Sequence, residues 1–193
     1  GASYYVRITP TNAAGSATPT VLNATPMSVA SAVRPTSATA GDSQVALVWA
    51  APTSNGGFTI DSYRMEYSVD GVNWTTLTLD ASGTSYTVKG LTNGTAYTFR
   101  MAAITSAGLG AWGVFTSATP ARIPLSPLNI VVTGGDKKAT LTWAAPTNNG
   151  GSALTGYAIY RNAVLVTTVS ATTLTYVDTN GVTGLTNGTS YYW

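Results

Sequence analysis

Residues Gly90–Met101 read GLTNGTAYTFRM, and the phrase returns at Gly184–Trp193 as GLTNGTSYYW and, in its latter part, at Gly1–Ile8 as GASYYVRI. Leu91 is an apolar anchor, Asn93-Gly94 is a turn whose residues tolerate positive φ, and Tyr97, Phe99 and Met101 alternate as on a half-buried strand. A tyrosine opening such a strand, a few residues after a leucine, has the pattern of a tyrosine corner, with its ring on the core and its hydroxyl bonded to backbone upstream. Aligned on Tyr4, Tyr97 and Tyr191, the copies are spaced by 93 and then 94 residues, the length of one small domain.

Working outward, the longest shared phrase sets VALVWAAPTSNGGFTIDSYRMEYS against ATLTWAAPTNNGGSALTGYAIYRN, with Trp49 and Trp143, and Tyr63 and Tyr157, each 94 residues apart. The chain of 193 residues therefore divides into residues 1–26, the last two strands of a module; residues 27–120, a complete module; and residues 121–193, a module cut within its sixth strand. In the complete copy the pattern predicts a first edge strand at Thr36–Ala40 and a turn at Gly41-Asp42. Val45, Leu47 and Trp49 then share one face, and Tyr63, Met65 and Tyr67 alternate with Arg64 and Glu66 on a strand with one buried and one wet face. Asp70-Gly71 closes a hairpin to Trp74–Leu79, Tyr86 and Val88 mark a further strand, and Ala111–Thr119 ends a set of seven. MSVASAV, between Pro26 and Pro35, reads as a weakly ordered linker. The predicted core is Trp49, Tyr63, Leu91 and Tyr97 in one module and Trp143, Tyr157, Leu185 and Tyr191 in the next.

Only 8% of the chain is charged, its net charge is +2, and it has neither histidine nor cysteine. Histidine acid–base catalysis, cysteine nucleophiles and the usual zinc ligand sets are excluded. Asp61, Glu66 and Asp70 are near in sequence but read as solvated strand and turn residues, so catalytic residues, metals and cofactors are expected to be none. The scattered basic residues do not suit nucleic acid, and no apolar run is long enough to span a bilayer. The Asn-Gly-Gly loops at Asn55 and Asn149 lack the Lys-Ser/Thr of a phosphate loop and read as structural. Candidate glycosylation positions are Asn23 and Asn73; Asn93 and Asn187 also head acceptor triplets, but inside the corner turn. Trp74 and Trp112 are the aromatics expected at the surface, as contacts for a partner or a glycan.

These residues together resemble the fibronectin type III family in its bacterial extracellular branch: Trp49 and Trp143 followed by Ala-Ala-Pro, the SNGG and NNGG loops, Tyr63–Tyr67, Asp70–Trp74 and GLTNGTAYTFRM. The resemblance covers essentially the whole chain and implies an all-β fold: tandem immunoglobulin-like sandwiches of seven strands, in sheets of three and four, strung end to end. The Arg-Gly-Asp tripeptide of some animal members is absent. The expected role is a non-catalytic repeat of a bacterial cell-surface or secreted stalk, array or filament. Its expected partners are neighbouring modules or copies of itself, with glycans as further candidates. The rival is an adhesin or a carbohydrate-binding accessory of a larger secreted enzyme.

Overall fold

The computed structural model describes residues 3–181 and 183–193, and every regular element among them is a strand. They form two compact units, Gly1–Leu91 with Thr95–Thr119, and Thr92–Gly94 with Pro120–Trp193.

In the first unit, strand β1 (Tyr4–Ile8) is followed by the short β2 (Thr11–Asn12) and β3 (Gly15–Ser16) and by β4 (Thr20–Ala24). β1 and β4 pair antiparallel, Tyr4 opposite Ala24 and Ile8 opposite Thr20, while β2 and β3 close the turn, where the Asn12 side chain accepts the Ala14 N–H at 2.8 Å. Every residue of these four strands is exposed.

The sandwich of the first unit begins with β5 (Arg34–Gly41), β6 (Gln44–Ala50), β7 (Ser62–Ser68) and β8 (Thr75–Asp80). It continues with β9 (Ser85–Lys89), β10 (Thr98–Thr105), β11 (Gly108–Leu109) and β12 (Gly113–Val114). One sheet has the order β5-β6-β9; the other runs β8-β7-β10, with β11 and β12 both on the far edge of β10. The final strand expected over Ala111–Thr119 is thus a broken edge, completed by an isolated bridge from Tyr97 to Ala118. Pro35, which has no N–H to give, sits on edge strand β5 beside a bulge. Between the sheets, Val45, Leu47 and Trp49 meet Tyr63, Met65, Val88, Phe99 and Met101, all buried, with Leu91 at the rim and Tyr97 partly buried against them. Each such side chain contributes about 1.5–3 kcal/mol on leaving water.

The segment read as a weakly ordered linker is packed into this core. Ala30 and Val33 are buried, Ser28 and Ser31 donate to the carbonyls of Gly56 and Ser54, and Ala111 donates back to Ala30. Small residues make this docking feasible: Gly56 has φ of 73°, and a Cβ there would lie 1.7 Å from the Ser28 oxygen. The Asn-Gly-Gly loop is a clamp on the segment leading into β5.

The second unit repeats the plan with β13 (Leu128–Gly135), β14 (Lys138–Ala144), β15 (Gly156–Arg161), β16 (Val164–Ser170) and β17 (Thr175–Asp178), in sheets β13-β14-β17 and β15-β16. Correspondences at 94 residues reach individual bonds. Arg122 donates to Gly150 as Ser28 does to Gly56, and Leu185 donates to Lys137 as Leu91 does to Ser43. Trp143 and Tyr157 meet edge to face at 5.4 Å and 68°, as Trp49 and Tyr63 do at 5.7 Å and 70°. The Tyr191 hydroxyl accepts the Thr186 N–H at 3.2 Å, which pulls its pKa down, and Leu185 is buried beside it.

At three positions the inner face of this unit changes its chemistry from that of the first. Asp178 lies opposite Ala139 where Val88 lies opposite Val45; Arg161 stands 94 residues after Tyr67, and Trp193 stands 94 after Phe99. Asp178 is fully buried, binds Arg161 Nη1 through both oxygens at 2.9 and 3.0 Å, and accepts the Trp193 indole N–H at 3.0 Å. An uncharged trio has become an ion pair with an indole donor.

Candidate functional site

The outward face of β7, β8 and β10 carries an unusual arrangement. Register sets Arg64 between Thr78 and Ala102, and Glu66 between Thr76 and Arg100. Alternation assigns Glu66 to the wet face, yet its relative exposure is 1%. The reason is a roof of long side chains. Arg64 donates Nε at 2.8 Å to Oε1, with Nη2 at 2.5 Å from the same oxygen. Arg100 does likewise to Oε2, with Nε at 2.7 Å and Nη2 at 2.6 Å, and Thr76 adds its hydroxyl to Oε1. Burial alone would raise the Glu66 pKa, but the bonds and charges of Arg100 and Arg64 outweigh it and hold the carboxyl below its ordinary value.

Two loops extend the roof. The Arg100 guanidinium carbon lies 3.9 Å from the Trp74 ring centroid and 4.5 Å from that of Trp112, and Arg64 lies 5.9 Å from Trp112. Trp74, Arg100, Trp112 and Arg64 form a ladder of cation–π contacts, each worth about 0.5–2 kcal/mol. Both indoles are half-buried. Trp74 is positioned by the loop before β8, where Gly71 takes φ of 71° and its carbonyl accepts the indole N–H at 3.1 Å. Asp70 pins that loop, accepting from the Asn73 side chain at 2.7 Å, from the Val72 and Asn73 backbone N–H groups and from the Ser68 hydroxyl, which hold its pKa far below the usual carboxylate range.

The sequence marks Trp74 and Trp112 as surface aromatics and sets Arg64 and Glu66 on a wet face, but does not show that Glu66 and two arginines join the indoles. The available signal was the cross-strand pairing of Glu66 with Arg100, which follows once Tyr67 is set opposite Phe99. Among the described residues the second unit has no such ladder: Ala158 and Tyr160 stand 94 residues after Arg64 and Glu66, and its hairpin turns tightly at Asn162-Ala163, both with positive φ.

Elsewhere, Asn23 is exposed on β4, and Asn73 is exposed with its amide nitrogen held by Asp70. Asp61 is exposed just before β7. Among the described residues no three metal-ligating side chains gather. A groove of about 350 Å³ in the second unit is walled by Leu141, Trp143, Tyr157, Ile159 and Trp193, all inner-face positions, which makes it a core surface.

The family model described as the fibronectin type III domain matches residues 31–119. Chitinase A1 of Niallia circulans is 37% identical over 179 residues, covering 88% of this chain and 23% of that protein. Endoglucanase B of Cellulomonas fimi is 38% identical over 182 residues, covering 84% and 15%. Exoglucanase B of Cellulomonas fimi is 39% identical over 119 residues, covering 58% and 10%. The chain spans less than a quarter of the length of each of these relatives. With its three- and five-stranded sheets, the buried Trp49 and the match to the family model, the segment 31–119 is a fibronectin type III domain.

Proposed function

We propose that the chain is a non-catalytic structural segment of a larger bacterial protein working outside the cell, in which sandwich modules joined end to end carry and space other parts. The observation behind this reading is recurrence at one period: the Trp–Tyr core pair, the glycine clamp and the bond closing the corner turn all return 94 residues on. The lack of histidine and cysteine supports the non-catalytic part. No helix among the described residues is long and apolar enough to cross a membrane. Incubation with chromogenic glycosides, esters and peptides is expected to give no turnover; saturable turnover removed by changing a residue of this chain would overturn the reading.

A second reading, an accessory module of an enzyme acting on a polysaccharide, is favoured by relatives named as a chitinase, an endoglucanase and an exoglucanase. Co-sedimentation with insoluble chitin or cellulose that is lost in Trp112→Ala would favour it over a spacer.

A further inference from the structure

We propose that the ladder face of the first unit is a binding surface for a carboxylate-bearing polysaccharide, a role that goes beyond spacing modules. Each arginine spends Nε and Nη2 on one oxygen of Glu66. That side-on pairing leaves the Nη1 edge of each fork without a protein acceptor among the described residues. The side chains of Arg64 and Arg100 are 42% and 30% exposed, so these edges meet solvent. A guanidinium edge fits a carboxylate with two parallel bonds, and a fork already fixed by a buried partner loses little freedom on binding.

The same geometry argues against a platform for neutral sugars. Trp74 and Trp112 present ring faces to Arg100, and the Trp74 indole N–H is spent on Gly71. The surroundings select a polyhydroxylated chain over an acidic peptide: Thr78 and Ser117 are exposed hydroxyl residues bordering the ladder, and Thr98 bonds Ser117 at 3.3 Å. Asp80, at the end of β8 on the same face, is exposed and repels a carboxylate there, which bounds the surface on the Ser62 side.

Affinity electrophoresis of the whole chain tests this, with polygalacturonate, fully methyl-esterified polygalacturonate or poly-glutamate in the gel. Retardation is expected with polygalacturonate, and about tenfold weaker binding with the ester, which removes the charge and keeps the backbone. Arg64→Gln is expected to lose about tenfold, and Lys89→Gln, on the opposite sheet, to bind unchanged while removing the same charge. Should Arg64→Gln unfold, Arg64→Lys keeps the charge without the fork and is expected to lose several-fold. Equal retardation by acid and ester, none by either, stronger retardation by poly-glutamate, or full binding by a folded Arg64 variant would each overturn the proposal.

Discussion

Arg100 delivers both Nε and Nη2 to one oxygen of Glu66, at 2.7 and 2.6 Å, from the neighbouring strand of the sheet. Arg64 takes the other oxygen, so one carboxylate organises both cations of the ladder. Because the folded-state pKa of Glu66 lies below its unfolded value, its stabilisation is present above the ordinary glutamate pKa of about 4.3 and is lost as pH falls through the lower folded value. Denaturation midpoints of the first unit are expected to fall on acidification through that window. Glu66→Gln should flatten that dependence and cost about 1.5–3 kcal/mol at neutral pH.

Trp49→Ala is expected to destabilise the first unit by about 3–5 kcal/mol, since the ring is 2% exposed and its neighbours cannot fill the space. Trp143 is only partly buried, so Trp143→Ala should cost less in the second unit, about 1.5–3 kcal/mol. Chemical denaturation of the two variants measures the difference.

Gly56→Ala and Gly150→Ala should each destabilise their own unit by more than the roughly 1–2 kcal/mol of placing a side chain at positive φ. Their φ angles are 73° and 79°, and the added methyl carbons would lie 1.7 Å from the Ser28 oxygen and 2.0 Å from the Arg122 oxygen. Gly71→Ala, with φ of 71° and open space around it, should cost only the backbone term. Hydrogen exchange at Ser28 and Arg122 would report release of the clamped segment.

Asp178→Ala removes the charged partner of a partly buried guanidinium and should cost about 1.5–3 kcal/mol. Replacing the pair by the residues of the first unit, Arg161→Tyr with Asp178→Val, should restore most of that loss or exceed the original stability by about 1–4 kcal/mol. A double-mutant cycle by urea denaturation separates the two outcomes.

The all-β sandwich was legible because alternation at Val45–Trp49 and Tyr63–Tyr67 and the turns at Gly41-Asp42 and Asp70-Gly71 are local signals. Glu66 was not, because period two names a face and not what covers it; its roof comes from a neighbouring strand and two separate loops. The burial of Ala30 and Val33 was not legible because small residues suit a linker and a tightly docked segment equally well. Asp178 was missed because the two copies fall out of their 94-residue step before β17, so Tyr176 aligns with Tyr86 and the acid's inward position shows only in the ladder with Ala139.

The ion pair in the second unit also bears on how such a chain reaches its native state. Adjacent repeats this alike can exchange strands during folding, a characteristic failure of repeat proteins. A strand bearing Asp178, inserted where Val88 belongs, would bury a carboxylate against Tyr67 and Phe99, neither of which can neutralise it, and would leave Arg161 unpaired in its own module. Mismatched interiors thus give each repeat a means of rejecting its neighbour's strands while it folds.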